Sequence, residues 1–163
     1  MKWNSVGVNE FSRTAVQIAV QFERIFPGAR LRIFGFSLGA AIAFKVSQTT
    51  EAEQIILCSM SPLFAEDVDL QKFSFRQLSG LLLDRKANGL SMAGCSGNGI
   101  TLLYGELDSG LINKNIIERR RVILDGSAAF IVSNARHDIS GQAYLAAIKA
   151  QITAHALKRE SLP

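Results

Sequence analysis

Cysteine and histidine are both scarce in this chain, and each scarcity removes a class of protein. Only two cysteines, Cys58 and Cys95, occur among 163 residues. Two thiols do not make a disulfide framework, and no His/Cys spacing suggests zinc. Neither a stapled secreted scaffold nor a metal-organised module is expected, and no cofactor is called for. Long apolar runs are missing as well. None approaches the roughly 20 apolar residues that span a bilayer. No positively charged start leads into a long apolar segment of the kind that directs secretion. The expectation is a cytoplasmic, reducing compartment and no membrane partner. Charge of one sign is also in short supply. The formal net charge is +4, and the basic residues form no long block, so no nucleic-acid partner is expected. The densest run, Glu118 to Val122, reads as a solvated helix end, where Lys and Arg complement the helix dipole. There is no internal repeat, no low-complexity tract and no interdomain linker.

What the chain does have is apolar material in a regular alternation. It is 48% hydrophobic and 20% charged, enough to fill one core and stay in solution. From Asn9, a candidate cap, the residues Phe11, Ala15, Ile18, Phe22 and Ile25 recur at helical spacing until Pro27 and Gly28 stop the helix. "LRIFGF" reads as a strand and "LGAAIAFKVSQ" as a helix. "AEQIILCSMSP" and "GITLLYGELD" read as strands, with Cys58 buried in the first. A helix over about Leu111 to Arg121, a strand in "SAAFIVSNARHD" and a helix over about Gln142 to Leu157 complete the series. In that last helix Leu145, Ile148, Ile152 and Ala156 share a face. Strands alternating with helices imply parallel pairing. Continuous apolar strands imply helices on both faces of the sheet. The fold predicted is a three-layer α/β sandwich with a mainly parallel sheet, formed by one domain over 1–163. Residues 63–98, with their apolar Phe73 to Leu83 patch, read as an excursion and a small cap.

Chemistry concentrates at three strand ends. "FGFSLG" carries a Gly-x-Ser-x-Gly string between an apolar strand and an Ala-rich helix, the setting of a nucleophile elbow. A Cβ at Gly35 or Gly39 is expected to crowd that turn. The turn sets Ser37 at a helix N-terminus, with the Leu38 N–H as an oxyanion donor. A glycine-rich packing or phosphate turn is the other reading of the same string. Asp108 follows the strand "ITLLY", with Glu106 as a rival acid two residues away. His137 follows "AFIVSNAR". His155 lies within the last helix and implies no site, and Asp138 reads as a loop residue beside His137.

The order Ser, Asp, His, each at the end of a successive strand, resembles the α/β-hydrolase superfamily. "FGFSLGAAIA" looks like its elbow, "LLYGELDSGLI" like its acid loop and "NARHDI" like its histidine loop. The resemblance runs from about Asn9 to the C-terminus. It implies Ser37 as nucleophile, His137 as general base and Asp108 as the residue that orients and charges His137. It implies a serine esterase or thioesterase acting through an acyl-enzyme on a small acyl ester or thioester. Two alternatives stand beside it: a non-catalytic relative kept for binding or assembly, and an acyltransferase or perhydrolase on the same triad.

One departure shapes a further expectation. In the superfamily several strands precede the elbow, and one of their loops supplies the second oxyanion N–H. Here 36 residues precede Ser37, room for one helix and one strand. The elbow strand is therefore expected at a sheet edge. Association of two copies to bury that edge, with the partner supplying the missing donor, is the expected remedy.

Overall fold

Burial on both faces decides which segments become the centre of the sheet. The computed structural model describes residues 5–60, 92, 95–97, 99–108 and 114–160. The two continuous apolar runs form its central strands, β2 (Gln54–Cys58) and β3 (Ile100–Gly105), every residue of which is buried except the half-buried Thr101. The flanking strands β1 (Arg32–Phe36) and β4 (Ala128–Val132) are largely exposed along their lengths. The sheet runs β1-β2-β3-β4, and all three pairings are parallel.

Side chains that alternate across the strands divide the core in two. Ile55, Leu57, Ile100, Leu102 and Tyr104 face one way, against Ala40, Ala41 and Phe44 of α2 (Leu38–Ser47) and against α3 (Lys114–Ile123). Ile56, Cys58 and Leu103 face the other way, against Tyr144, Ala147 and Ile148 of α4 (Gln142–Glu160). Helix α1 (Ser5–Ile25) packs on α2, outside this sandwich. The three-layer architecture with a parallel sheet is thus the one the alternation of elements predicts.

Several local expectations need correction. Helix α1 begins at Ser5, so Asn9 is inside it rather than capping it. Its inner face is not the predicted large-residue stripe. Ser12 and Ala19 are buried, while Phe11, Ile18 and Ile25 are exposed. The reason is the partner: α2 is Ala-rich, and close helix approach favours small residues. A one-position shift also applies to α4. Tyr144 is fully buried, whereas Leu145 and Ile152 point outward. The basic run is not wholly solvated, because Arg120 is fully buried. Its Nη1 donates to the Met60 carbonyl at 2.6 Å and to the Tyr104 hydroxyl at 3.0 Å, which offsets the cost of burying a guanidinium. Arg120 thereby ties α3 to the carboxyl ends of β2 and β3. The cap expected at about 63–98 falls largely outside the described residues, though Met92 is buried in the α2-side core. No helix among the described residues is long and apolar enough to cross a membrane.

Strand β1 is an edge among the described residues, paired only with β2. Beside it a groove of about 330 Å³ is lined by Ile18, Phe22, Phe34, Ile42 and Val46. Ile18 is 65% exposed and Phe34 48% exposed, so among the described residues apolar surface and an open strand edge share one flank. The self-association expected from the sequence is testable on this flank. Sedimentation velocity at micromolar concentration is expected to read a dimer, and Ile18→Glu to convert it to a monomer. A wild-type monomer would refute it.

Candidate active site

Parallel pairing brings the carboxyl ends of four strands to the same edge of the sheet, and the four loops that leave them hold the polar residues. Ser37 directly follows β1. Its φ of 55° and ψ of −119° lie outside the regions that L-residues favour, at a cost of order 1–3 kcal/mol. The turn is held by the Ser37 N–H, which donates to the Cys58 carbonyl at 2.9 Å. It is also held by contact: a Cβ at Gly35 would lie 2.4 Å from the Gly39 carbonyl oxygen and 2.6 Å from the Ala40 Cα. Only glycine lets α2 sit that close to β1. Gly39 itself is different from expectation. A Cβ there would meet no atom within 4 Å, so the crowding comes from Gly35 alone. The Leu38 N–H lies in the first turn of α2, where helix geometry provides no intrahelical acceptor.

Asp108 and His137 reach Ser37 through loops that are bonded to each other. Asp108 lies three residues past the end of β3 and His137 five past the end of β4. Glu106 N–H donates to the Val132 carbonyl at 3.0 Å, and Leu107 N–H to the Ala135 carbonyl at 2.9 Å. Gly105 permits that approach, since a Cβ there would sit 2.5 Å from the Ala135 oxygen. Across 100 residues of sequence, His137 Nε2 comes to 2.9 Å from Ser37 Oγ. Its Nδ1 lies 2.7 Å from Asp108 Oδ1. One tautomer satisfies both contacts: Nδ1–H donates to the carboxylate, and Nε2 accepts from the serine hydroxyl. The Asp108 side chain is 3% exposed and the His137 side chain 39% exposed, so the carboxylate is enclosed and the imidazole reachable.

The rival groups lie elsewhere. Glu106 is exposed and accepts the Asn134 N–H at 3.0 Å. Asp138 accepts from the Ser140 N–H and hydroxyl, which lowers its pKa. His155 Nε2 is 3.9 Å from Glu53 at the opposite end of the strands. Burial pushes the Cys58 thiol up to about 12, which keeps it protonated and inert. Among the described residues, no cluster of three His, Cys, Asp or Glu side chains forms a metal site.

Comparison of the coordinates with solved structures identifies the architecture. An α/β serine hydrolase homologue from Coxiella burnetii superposes with a TM-score of 0.55 at 18% identity, over 100% of this chain and 62% of its own. YbtT, a type II thioesterase from the yersiniabactin biosynthetic pathway, gives 0.57 at 14% identity, over 91% and 73%. A structure from a study of carboxylesterases of the thaumarchaeon Nitrososphaera gargenis gives 0.56 at 10% identity, over 90% and 73%. This chain has an α/β-hydrolase fold. The hydrolase fold is recognised from structure alone: no family model matches the sequence, and no curated protein matches it. The chain spans less than two thirds of the length of the Coxiella homologue.

Sequence reasoning missed three residues around this hydrolase-fold site. Phe36 lies under the His137 ring, with centroids 4.8 Å apart, and meets Tyr144 edge-on at 5.8 Å. Ser59, fully buried at the end of β2, hydrogen-bonds Asp108 Oδ2 and the Tyr144 hydroxyl. The available signal for Ser59 was positional: it follows a strand end as Ser37 does.

Two stability measurements probe this frame. Gly35→Ala is expected to cost about 1–3 kcal/mol or more, because its Cβ meets backbone that cannot rotate away. Gly39→Ala is expected to be neutral or to stabilise by about 0.5–1 kcal/mol, as for alanine in an open helical position. Equal effects in denaturant titrations would contradict the packing described. The second concerns alkali. Burial, foremost, raises the Tyr144 phenol from 10.0 to about 12, as it raises the Cys58 thiol from 9.0. The unfolded chain releases these protons first, so stability falls as pH climbs from about 9 towards 12. Thermal melts are expected to record that decline, and to record a shallower one in Tyr144→Phe.

Proposed function

We propose that the protein is a serine hydrolase of the carboxylesterase or thioesterase type, with Ser37 as nucleophile, His137 as general base and Asp108 as the residue that orients His137. The observation that carries this reading is the unbroken hydrogen-bonded chain from Ser37 Oγ through the imidazole to a buried carboxylate. A strained serine at a helix N-terminus supports it, as does a fold shared with thioesterases and carboxylesterases.

The chemistry follows from the protons. Ser37 Oγ attacks the acyl carbonyl carbon as its proton passes to His137 Nε2. Asp108 stabilises the imidazolium through Nδ1–H, and the Leu38 N–H donates to the developing oxyanion. One such donor is worth about 10²–10³ in kcat. The imidazolium returns its proton to the departing alcohol or thiol, leaving an acyl-enzyme. Water then attacks the acyl carbon, giving up a proton to His137. Collapse releases the acid and restores the Ser37 hydroxyl. The substrate class is a small acyl ester or thioester, taken up without a cofactor.

A fluorophosphonate probe is expected to label wild-type protein at Ser37, read by mass spectrometry of the intact chain and its peptides. Ser37→Ala is expected to abolish labelling, and to lower hydrolysis of activated short-chain esters by about 10⁴-fold or more. His137→Ala is expected to fall to a similar residual rate, because triad members act as a unit. Folded wild-type protein that takes no label would overturn the proposal in favour of a binding or assembly role. Acyl transfer or perhydrolysis would appear in the products.

A further inference from the structure

The acid of the proposed triad has a second oxygen that the serine and histidine do not use. Asp108 Oδ1 faces His137, while Oδ2 faces Ser59 Oγ in the buried interior. Ser59 Oγ in turn contacts the Tyr144 hydroxyl. Both residues are 0% exposed, so water does not mediate these contacts. The proton count fixes their direction. An ionised carboxylate only accepts, and a serine hydroxyl carries one proton. Ser59 must therefore donate to Asp108, and Tyr144 must donate to Ser59. The Tyr144 hydroxyl lies over Gly105, where a Cβ would sit 3.1 Å from its oxygen. Gly105 is the same residue whose missing Cβ lets the histidine loop approach.

The backbone at Ser59 argues that this placement is built. Its φ is 43°, in the left-handed region where glycine or asparagine would be more comfortable. Its N–H donates to the Leu103 carbonyl at 2.8 Å, which holds the turn. Tyr144 is likewise held on two sides, by Phe36 against its ring and by Ser59 at its hydroxyl. Phe36 is also the ring beneath His137. The same pair of residues thus braces the acid from behind and the base from below.

We propose that Ser59 and Tyr144 are positioning residues of the hydrolytic site, a relay Tyr144–Ser59–Asp108 that holds Oδ1 aimed at His137 Nδ1. This rests on the triad assignment made above, and it extends the hydrogen-bonded chain from three residues to five, with Asp108 accepting from both sides. The Tyr144 hydroxyl acts through Ser59, and neither residue touches substrate.

Ser59→Gly tests it with little risk to the fold, since glycine suits φ 43° and removes only the hydroxymethyl group. The expected result is a kcat about tenfold lower with KM unchanged, the effect of losing one directed hydrogen bond. The acid limb of the pH–rate profile is expected to move, which a purely structural defect would not do. Tyr144→Phe is expected to lose less, and the double variant to be no slower than Ser59→Gly alone. A second readout needs no activity. The far-downfield proton resonance of His137 Nδ1–H, assigned with His137→Gln, is expected to shift or broaden in both single variants while circular dichroism shows Ser59→Gly still folded. An unchanged resonance and pH profile in folded Ser59→Gly overturns the relay, as does additive loss in the double variant. A protein that takes no fluorophosphonate label while the resonance still responds would sink the hydrolase reading and leave the relay intact.

Discussion

A carboxylate that is almost wholly enclosed dictates most of what surrounds it. The Asp108 side chain is 3% exposed. An ionised carboxylate in such a place is costly unless its oxygens are hydrogen-bonded. One oxygen meets His137 and the other meets Ser59. Each partner then needs its own support. His137 requires a loop that passes within van der Waals reach of β3, hence the bare Cα of Gly105. Ser59 requires a left-handed turn at the end of a buried strand, hence a fixed N–H bond to Leu103. Satisfying one buried group thus sets the conformation of two loops and one strand end.

Strain gathers in the same place. Among the described residues, the non-glycine positions with positive φ are Ser37, Ser59 and Asn134. They follow β1, β2 and β4, and they surround the site. At about 1–3 kcal/mol each, such residues survive only where the rest of the structure over-determines them. Here each has its N–H engaged: Ser37 with Cys58, Ser59 with Leu103 and Asn134 with the Glu106 carboxylate. Glu106, the acid that does not face His137, therefore has a supporting role in shaping the histidine loop. The fully buried Arg120 adds a further clamp by holding the Met60 carbonyl just past Ser59.

The legible parts of this molecule are those where one residue type carries the information. The apolar runs of β2 and β3 announced a sheet covered on both faces, and the Gly-x-Ser-x-Gly string announced a strand-to-helix turn. Order and spacing singled out Asp108 and His137, which the fold brings into line with Ser37. Helix faces were harder. On α1 and α4 the apolar periodicity was present but its phase was off by about a position, because small residues facing α2 and a single large Tyr144 decide the packing. Charge misled at Arg120, where a basic run conceals one buried guanidinium. Tyr144 was not legible at all, and Ser59 only by its place after a strand end, since neither falls in a motif. Their significance comes from a contact across 85 residues.

The position of the elbow at a sheet edge has a mechanical consequence. In the described structure β1 receives ladder hydrogen bonds from β2 alone, so the strand that carries Ser37 is braced on one side. The bracing that remains is short-range and steric. Gly35 lets α2 press on β1 at backbone contact distance, and the Ser37 N–H extends the β1–β2 ladder one residue past the strand. On the other side of the site, Phe36 packs against both His137 and Tyr144. Phe36, the residue before Ser37, is therefore fixed by the His137 ring and by the Tyr144 ring behind Asp108. Serine and histidine are linked by a hydrogen bond at the surface and by ring packing beneath it. An edge strand can hold the serine at its end in register when the surrounding side chains supply the second wall.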